Sequence, residues 1–355
     1  MDTTAPNSRT SVPRKRRTLV ERWKDWLFRP TLEWVQVEVN TDCDAQCVYC
    51  PRTVLGEAWP KRQMSMETFV SILPRKARSD TERPPTLVHL QGWGEPFLNP
   101  YFFDMVDHAK RGGYRVSTTT NGNLMDQALA QRLVEAGVDT LAFSLAGIDA
   151  RNDKIRRGTR LDQVMEAIAT VDRVKRRLGA NRPAVNIAYM LLKSGLDAIE
   201  RMPCFFGGTG IEAVVVSTLG HVASPGLARE AILPAGDEEY RAIKDRCDGA
   251  TEEAARQGFI LHFQVPHPGP RAGSCGENVL RSLVVSTEGM ITPCVLSRFP
   301  PEPHDAPYDD PLVFGDLATE SLREIWWRRS YLGFRRSFSE GAPPERCRSC
   351  VKLGL

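Results

Sequence analysis

From residue 34 the chain alternates six times between short β-branched runs and longer segments of helical period. Few architectures accept that pattern. The strand-like runs are "WVQVEVN", "TLVHLQG", "YRVSTTTNG", "VDTLAFSLAG", "AVNIAYMLL" and "IEAVVVSTLG". Between them lie "SMETFVSILPRKA", "YFFDMVDHAKRGG", "MDQALAQRLVEAG", "RLDQVMEAIATVDRVKRRLG" and "LDAIERMPCFFGG", whose apolar residues recur at helical spacing. A helix between two strands returns the chain to the same end of the sheet. The strands therefore pair in parallel through right-handed βαβ units. Six such units predict either an open α/β sheet or an incomplete barrel, and in both the loops at the carboxyl ends of the strands carry the chemistry.

Flanking segments read differently. Residues 1–33 form a polar, basic tail, with "PRKRR" at 13–17, followed by a short helix placing Leu19, Trp23, Trp26 and Leu27 on one face. The alternating region occupies 34–225, and 226–261 is a bridging stretch with a charged helix over about 236–257. From about 262 short strands, a hairpin and a helix form a second, smaller α+β module, 262–355.

Composition narrows the function. A formal net charge of +3 over 355 residues creates no field suited to nucleic acid. No apolar run is long enough for integral membrane association, and no secretory h-region opens the chain. Seven of the nine cysteines fall in two clusters, Cys43, Cys47, Cys50 and Cys275, Cys294, Cys347, Cys350, which is metal-site spacing and implies a reducing, cytoplasmic setting. Cys204 and Cys247 stand apart and read as buried packing residues.

The first cluster lies in "VNTDCDAQCVYCPR", directly after the first strand. Three thiolates on one loop can wrap three corners of a cubane cluster, and the fourth iron then lacks a protein ligand, so it can bind a reactant. A zinc knuckle completed by a distant residue is the bland alternative. Over residues 34–220 the sequence resembles the radical S-adenosylmethionine (radical SAM) enzymes. That resemblance implies a partial (β/α)6 TIM-like barrel and an open iron that chelates the methionyl group. It also implies one-electron cleavage of SAM to a hydrogen-abstracting 5′-deoxyadenosyl radical.

By the same resemblance, Tyr49 meets the adenine through its backbone. "GWGEP" corresponds to the family's Gly-Gly-Glu-Pro motif, with Trp93 where the first glycine of the pair is usual, and carries over Gly94 and Glu95. Asn121 in "TTNG" and Ser144 in "SLAG" complete the strand-end contacts. Arg156 or Arg157 in "IRRG" pairs with the SAM carboxylate. A bidentate guanidinium suits that task, but the sequence leaves the choice between the two open.

The second cluster resembles the shortened SPASM form, the twitch domain, with one auxiliary 4Fe–4S cluster on four cysteines. Gly289 turns the hairpin that delivers Cys294, and "CRSC" supplies Cys347 and Cys350. Full thiolate ligation suits electron transfer. The resemblance implies dehydrogenation or rearrangement of a small molecule, the auxiliary cluster taking up an electron. Maturation of a peptide or protein-derived cofactor is the close alternative, placed second because only about 33 residues precede the first strand, too few for a packed leader-binding module. A non-catalytic iron–sulfur carrier is the reading of another class. The expected partners are a small-molecule or peptide substrate and a reductase such as flavodoxin or ferredoxin. His89 and His221 are the candidate bases near the strand ends.

Overall fold

The computed structural model describes residues 30–73, 86–222, 224–269, 275–298 and 312–354. The unit considered is residues 31–355. The basic run at 13–17 and the helix expected around Trp23 lie outside the described residues.

The predicted parallel sheet is present. Its strands are β1 (Trp34–Val37), β2 (Leu87–Leu90), β3 (Arg115–Thr120), β4 (Thr140–Leu145), β5 (Ala184–Leu191), β6 (Ala213–Thr218) and β7 (Ile260–Gln264). Each pairs in parallel with the next, with Val35 opposite Val88 and Phe143 opposite Ile187. Alternation along the strands sets the two faces. In β4 Leu141, Phe143 and Leu145 are buried in the core, while Ser144 faces the other side. The helix α1 (Leu161–Leu178) buries Val164, Ala167, Ile168, Val171 and Val174, one 3.6-period stripe. It stops at Gly179, which is left-handed at φ +61° and donates back to the Arg176 and Lys175 carbonyls.

Two assignments change. The segment "FILHFQV" straddles the expected module boundary at about 262, yet its β7 pairs in parallel with β6 after the crossover helix α2 (Asp237–Arg256), making it the far edge of the main sheet. The C-terminal hairpin is also continuous with that sheet. Its strand β8 (Ser282–Val285) pairs in parallel with β1, and β9 (Met290–Thr292) returns antiparallel through Gly289 at φ +89°. A short β10 (Gly315–Asp316) completes the order β10-β9-β8-β1-β2-β3-β4-β5-β6-β7. Gln36 on β1 and Ser217 on β6 wall the same cavity, so the sheet curls into an incomplete barrel. Among the described residues no helix is long and apolar enough to cross a membrane.

Candidate active site

The cysteine loop leaves β1 and is pinned at once by Asn40. Its Oδ1 accepts the Asp42 N–H at 3.1 Å. Its Nδ2 donates to the carbonyls of Asp42 and Glu95 at 2.9 and 3.0 Å. In return its own carbonyl accepts the Gly94 N–H, and the Asp42 carbonyl accepts the Glu95 N–H. The "GWGEP" turn is thus built directly against the loop. A Cβ on Gly94 would sit 2.5 Å from the Asp42 carbonyl oxygen and run into that of Asn40, so only glycine fits. Trp93 lies edge-on to Trp59 at 6.4 Å, and Gly92 before it also lacks room for a Cβ. Gly94→Ala is expected to cost about 1–3 kcal/mol through overpacking, read by denaturant unfolding of the apoprotein. An unchanged midpoint would mean the turn does not hold the loop.

Glu95 points its buried carboxylate inward. Oε1 accepts from the Thr120 hydroxyl at 2.8 Å and Oε2 from the Asn121 N–H at 2.8 Å. Burial pushes its carboxyl up to about 7, opposed by these donors. From there Asn121 Nδ2 reaches Asp44 Oδ1 at 2.6 Å and stands 3.6 Å from Cys43 Sγ. Asn123 Nδ2 donates to Asp44 Oδ2 at 3.0 Å and to the Gly158 carbonyl at 2.8 Å. The segment after β3 therefore holds the loop through Asp44, and the turn after β2 holds it through Asn40 and Asp42.

A two-residue ribbon holds its other side. Gln46–Cys47 pairs antiparallel with Arg156–Arg157. Adjacent strand residues face opposite ways. Arg156 goes inward at 5% exposure and donates from Nη1 to the Tyr49 hydroxyl, while Arg157 is exposed.

The cysteine loop and the strand ends border one cavity of about 410 Å³. Cys43, Cys47, Cys50, Tyr49 and Arg156 line one side, and Gly94, Glu95, Asn121 and Ser144 the strand ends. His221 also lines it, and burial pushes its pKa down. His89 is elsewhere. Its ring nitrogens lie 2.7 Å from Ser117 Oγ and 2.7 Å from Gln91 Oε1, which locks it within the sheet. Cys204 is exposed, because the short helix Met202–Phe206 turns Met202, Pro203 and Phe206 inward instead; Cys247 is buried as expected.

The far wall comes from the C-terminal module, through Glu277, Val295, Leu296 and Lys352. Cys275 bridges to Leu353, and the Gly276 N–H donates to the Lys352 carbonyl at 2.8 Å, which clamps the segment after Cys275 onto the turn carrying Cys350. Glu277 and Lys352, two residues beyond those cysteines, pair at 3.5 Å. Cys294 follows β9 with Sγ 3.0 Å from Ser297 Oγ.

The donor chemistry fits iron–sulfur groups at both places. Burial pushes the thiols of Cys43, Cys275 and Cys294 up to about 12 and that of Cys347 to about 11. Thiolates there need positive charge beside them, which a metal core supplies. Among the described residues no three His, Cys, Asp or Glu side chains converge as single-ion ligands must; a cubane, whose thiolates occupy separate corners, makes a different demand. On the cavity wall the buried Nε atoms of Arg52 and Arg156 have no hydrogen-bond partner, a vacancy suited to an anionic group. Arg52, Asn40, Asp44 and Lys352 escaped the sequence reading. Only the adjacency of Arg52 to "CVYCP" could have pointed to it.

Comparison with known proteins identifies two domains. A model of the Radical SAM superfamily matches residues 37–193, and one of the SPASM iron-sulfur cluster-binding domain matches 275–351. The chain carries a radical SAM domain followed by a SPASM domain. Proteins of both kinds bind 4Fe–4S clusters. This radical SAM protein is 23% identical over 326 residues to a tungsten-containing aldehyde ferredoxin oxidoreductase cofactor-modifying protein of Pyrococcus furiosus, covering 86% of this chain and 83% of that one. It is 22% identical over 320 residues to a PqqA peptide cyclase of Gluconobacter oxydans, covering 89% and 81%. In fold it resembles Streptococcus suis SuiB bound to the precursor peptide SuiA, at TM-score 0.66 and 15% identity, covering 95% of this chain and 73% of that one. SuiB has also been solved with S-adenosylmethionine.

Proposed function

We propose that this radical SAM protein is a maturase that abstracts hydrogen from a peptide or a protein-derived cofactor precursor. The observation that carries the reading is the single cavity walled on one side by the three-cysteine loop and on the other by Glu277, Val295, Leu296 and Lys352. A substrate lodged there touches both cysteine-bearing parts of the chain. The cofactor-modifying protein, the peptide cyclase and SuiB favour a maturase over the small-molecule oxidation that the sequence reading put first.

In this reading Cys43, Cys47 and Cys50 hold a 4Fe–4S cluster with one open iron, and Cys275, Cys294, Cys347 and Cys350 hold the auxiliary cluster. With S-adenosylmethionine bound, the first site supplies reductive cleavage to a hydrogen-abstracting radical and the second an electron acceptor. The protein's own work is placement. Arg156, held by Tyr49, and Arg52 present buried N–H groups to a carboxylate. Glu95 keeps the Gly94 turn against the loop through Thr120 and Asn121, and Ser144 offers a hydroxyl at the strand end. Val295 and Leu296 give the far wall an apolar portion beside the Glu277–Lys352 pair, which limits water there. A flavodoxin or ferredoxin is the proposed reductase.

The test uses anaerobically reconstituted protein with S-adenosylmethionine, reductant and short peptides encoded beside its gene, against polyols and aminocyclitols. Peptide-dependent 5′-deoxyadenosine release with loss of hydrogen from the peptide is expected. Stimulation by the small molecules alone would sink the maturase reading.

A further inference from the structure

Where β2 reaches the cavity, a buried polar chain ends in one uncommitted donor. Gln36, His89 and Ser117 stand side by side on β1, β2 and β3, His89 being the register partner of both others. Two residues beyond His89, Gln91 lines the cavity. Three of its four polar atoms are engaged. Its N–H donates to the Val37 carbonyl at 3.0 Å, and its carbonyl accepts from Gln36 Nε2 at 3.1 Å. Its Oε1 lies 2.7 Å from His89 Nε2. An amide oxygen only accepts, so His89 carries its proton on Nε2. The Nδ1 of that ring then accepts from the Ser117 hydroxyl 2.7 Å away. Burial pushes the His89 pKa down, which keeps the ring neutral and these roles fixed.

The amide of Gln91 therefore has one orientation. Flipping it would set its N–H2 against the His89 N–H. Its Nε2 makes no hydrogen bond among the described residues. Three strands thus fix a donor that the protein itself leaves unused. A donor takes an acceptor, and Gln36, His89 and Ser117 around it are neutral, so a carboxylate finds no counter-charge in this polar group. A neutral oxygen fits, and a peptide offers one at every amide.

We propose that Gln91 donates from Nε2 to an amide carbonyl of the substrate peptide, with His89 and Ser117 as positioning residues that hold the amide in that orientation. The inference rests on the maturase reading. A carbonyl fixed at this point restricts which C–H of the peptide is presented for abstraction, so Gln91 serves both affinity and the choice of hydrogen.

Two measurements test it. In the full-length apoprotein labelled with 15N-histidine, the His89 resonances, assigned by their loss in His89→Gln, should show a protonated Nε2 and a bare Nδ1. They should stay so at about pH 6.5, where an ordinary imidazole is half protonated. A proton on Nδ1, or on both nitrogens, overturns the lock and the proposal. The second measurement titrates the short peptides encoded beside the gene into reconstituted protein holding S-adenosylmethionine without reductant, by calorimetry. Gln91→Glu keeps the oxygen that His89 binds and turns the cavity-facing atom into an acceptor. Peptide affinity should fall at least tenfold, with S-adenosylmethionine affinity unchanged. Gln91→Ala should lose about three- to tenfold. With reductant added, both variants should release 5′-deoxyadenosine in excess of modified peptide. No peptide binding by the parent overturns the maturase reading and this inference with it. Binding by the parent and by Gln91→Glu with equal affinity overturns the role of Gln91 alone. Loss of S-adenosylmethionine affinity instead of peptide affinity would give the donor to the cofactor and overturn it too. Should Gln91→Glu not fold, Gln91→Ala carries the test, and unchanged peptide affinity there overturns the proposal.

Discussion

Cys50→Ala is expected to lose S-adenosylmethionine cleavage entirely while keeping about half of the reconstituted iron. The residue ends the three-cysteine loop, lines the cavity and sits immediately before the helix that opens at Pro51. Burial raises its thiol pKa, and a metal core would favour the thiolate there. Two remaining thiolates grip a cubane too loosely to keep it. In the proposed assignment the four C-terminal cysteines hold a separate cluster and should keep its iron. The complementary change, Cys347→Ala, should leave cleavage to 5′-deoxyadenosine running but uncoupled, with no modified product. Iron analysis, EPR and product chromatography on the two variants give opposite patterns. Loss of all iron in both would show a single shared site instead.

The apoprotein should hardly notice either substitution. Both cysteines are only half-buried, and a side chain of that size at such positions is worth about 1 kcal/mol. The defect therefore belongs to cofactor binding, and a near-native unfolding midpoint for apo Cys50→Ala is the control that separates it from misfolding.

The parallel sheet was legible because period-2 runs separated by period-3.6 runs leave little choice of connection. The Gly94 turn was legible because Gly-Glu-Pro at a strand end is punctuation with a mechanism. What failed were properties carried by distant partners. "FILHFQV" has the same alternation whether it pairs with β6 or with a C-terminal hairpin, and only the crossover by α2 settles it. The hairpin that delivers Cys294 was readable from Gly289, but its parallel union with β1 joins residues about 250 positions apart and leaves no local mark. Cys204 gave no sign of facing solvent, since a five-residue helix is too short for its apolar stripe to be recognised. Asn40 and Asp44 look like loop residues. Their worth lies in bonds to Glu95, Asn121 and Asn123, contributed by other strand ends.

The adjacent arginines give the sharpest remaining test, because side-chain chemistry is identical and only direction differs. Arg156 is 5% exposed, bonded to Tyr49, and has the Cys47 and Cys43 sulfurs within electrostatic reach, while its Nε waits without a partner. Arg157 is exposed on the opposite face of the same ribbon. Arg156→Met removes the buried cation, leaves the Tyr49 hydroxyl without its donor, and withdraws a charge-assisted fork worth roughly 1.5–3 kcal/mol to a bound carboxylate. S-adenosylmethionine should then bind on the order of 10–100-fold more weakly, by equilibrium dialysis under anaerobic conditions. Arg157→Met changes a solvated side chain, and its effect should stay within about 0.5 kcal/mol. Arg156→Lys should rescue little, since an ammonium cannot engage Tyr49 and a carboxylate with one rigid fork. Equal affinities for the two methionine variants would place the carboxylate elsewhere and leave Arg156 as packing for Tyr49.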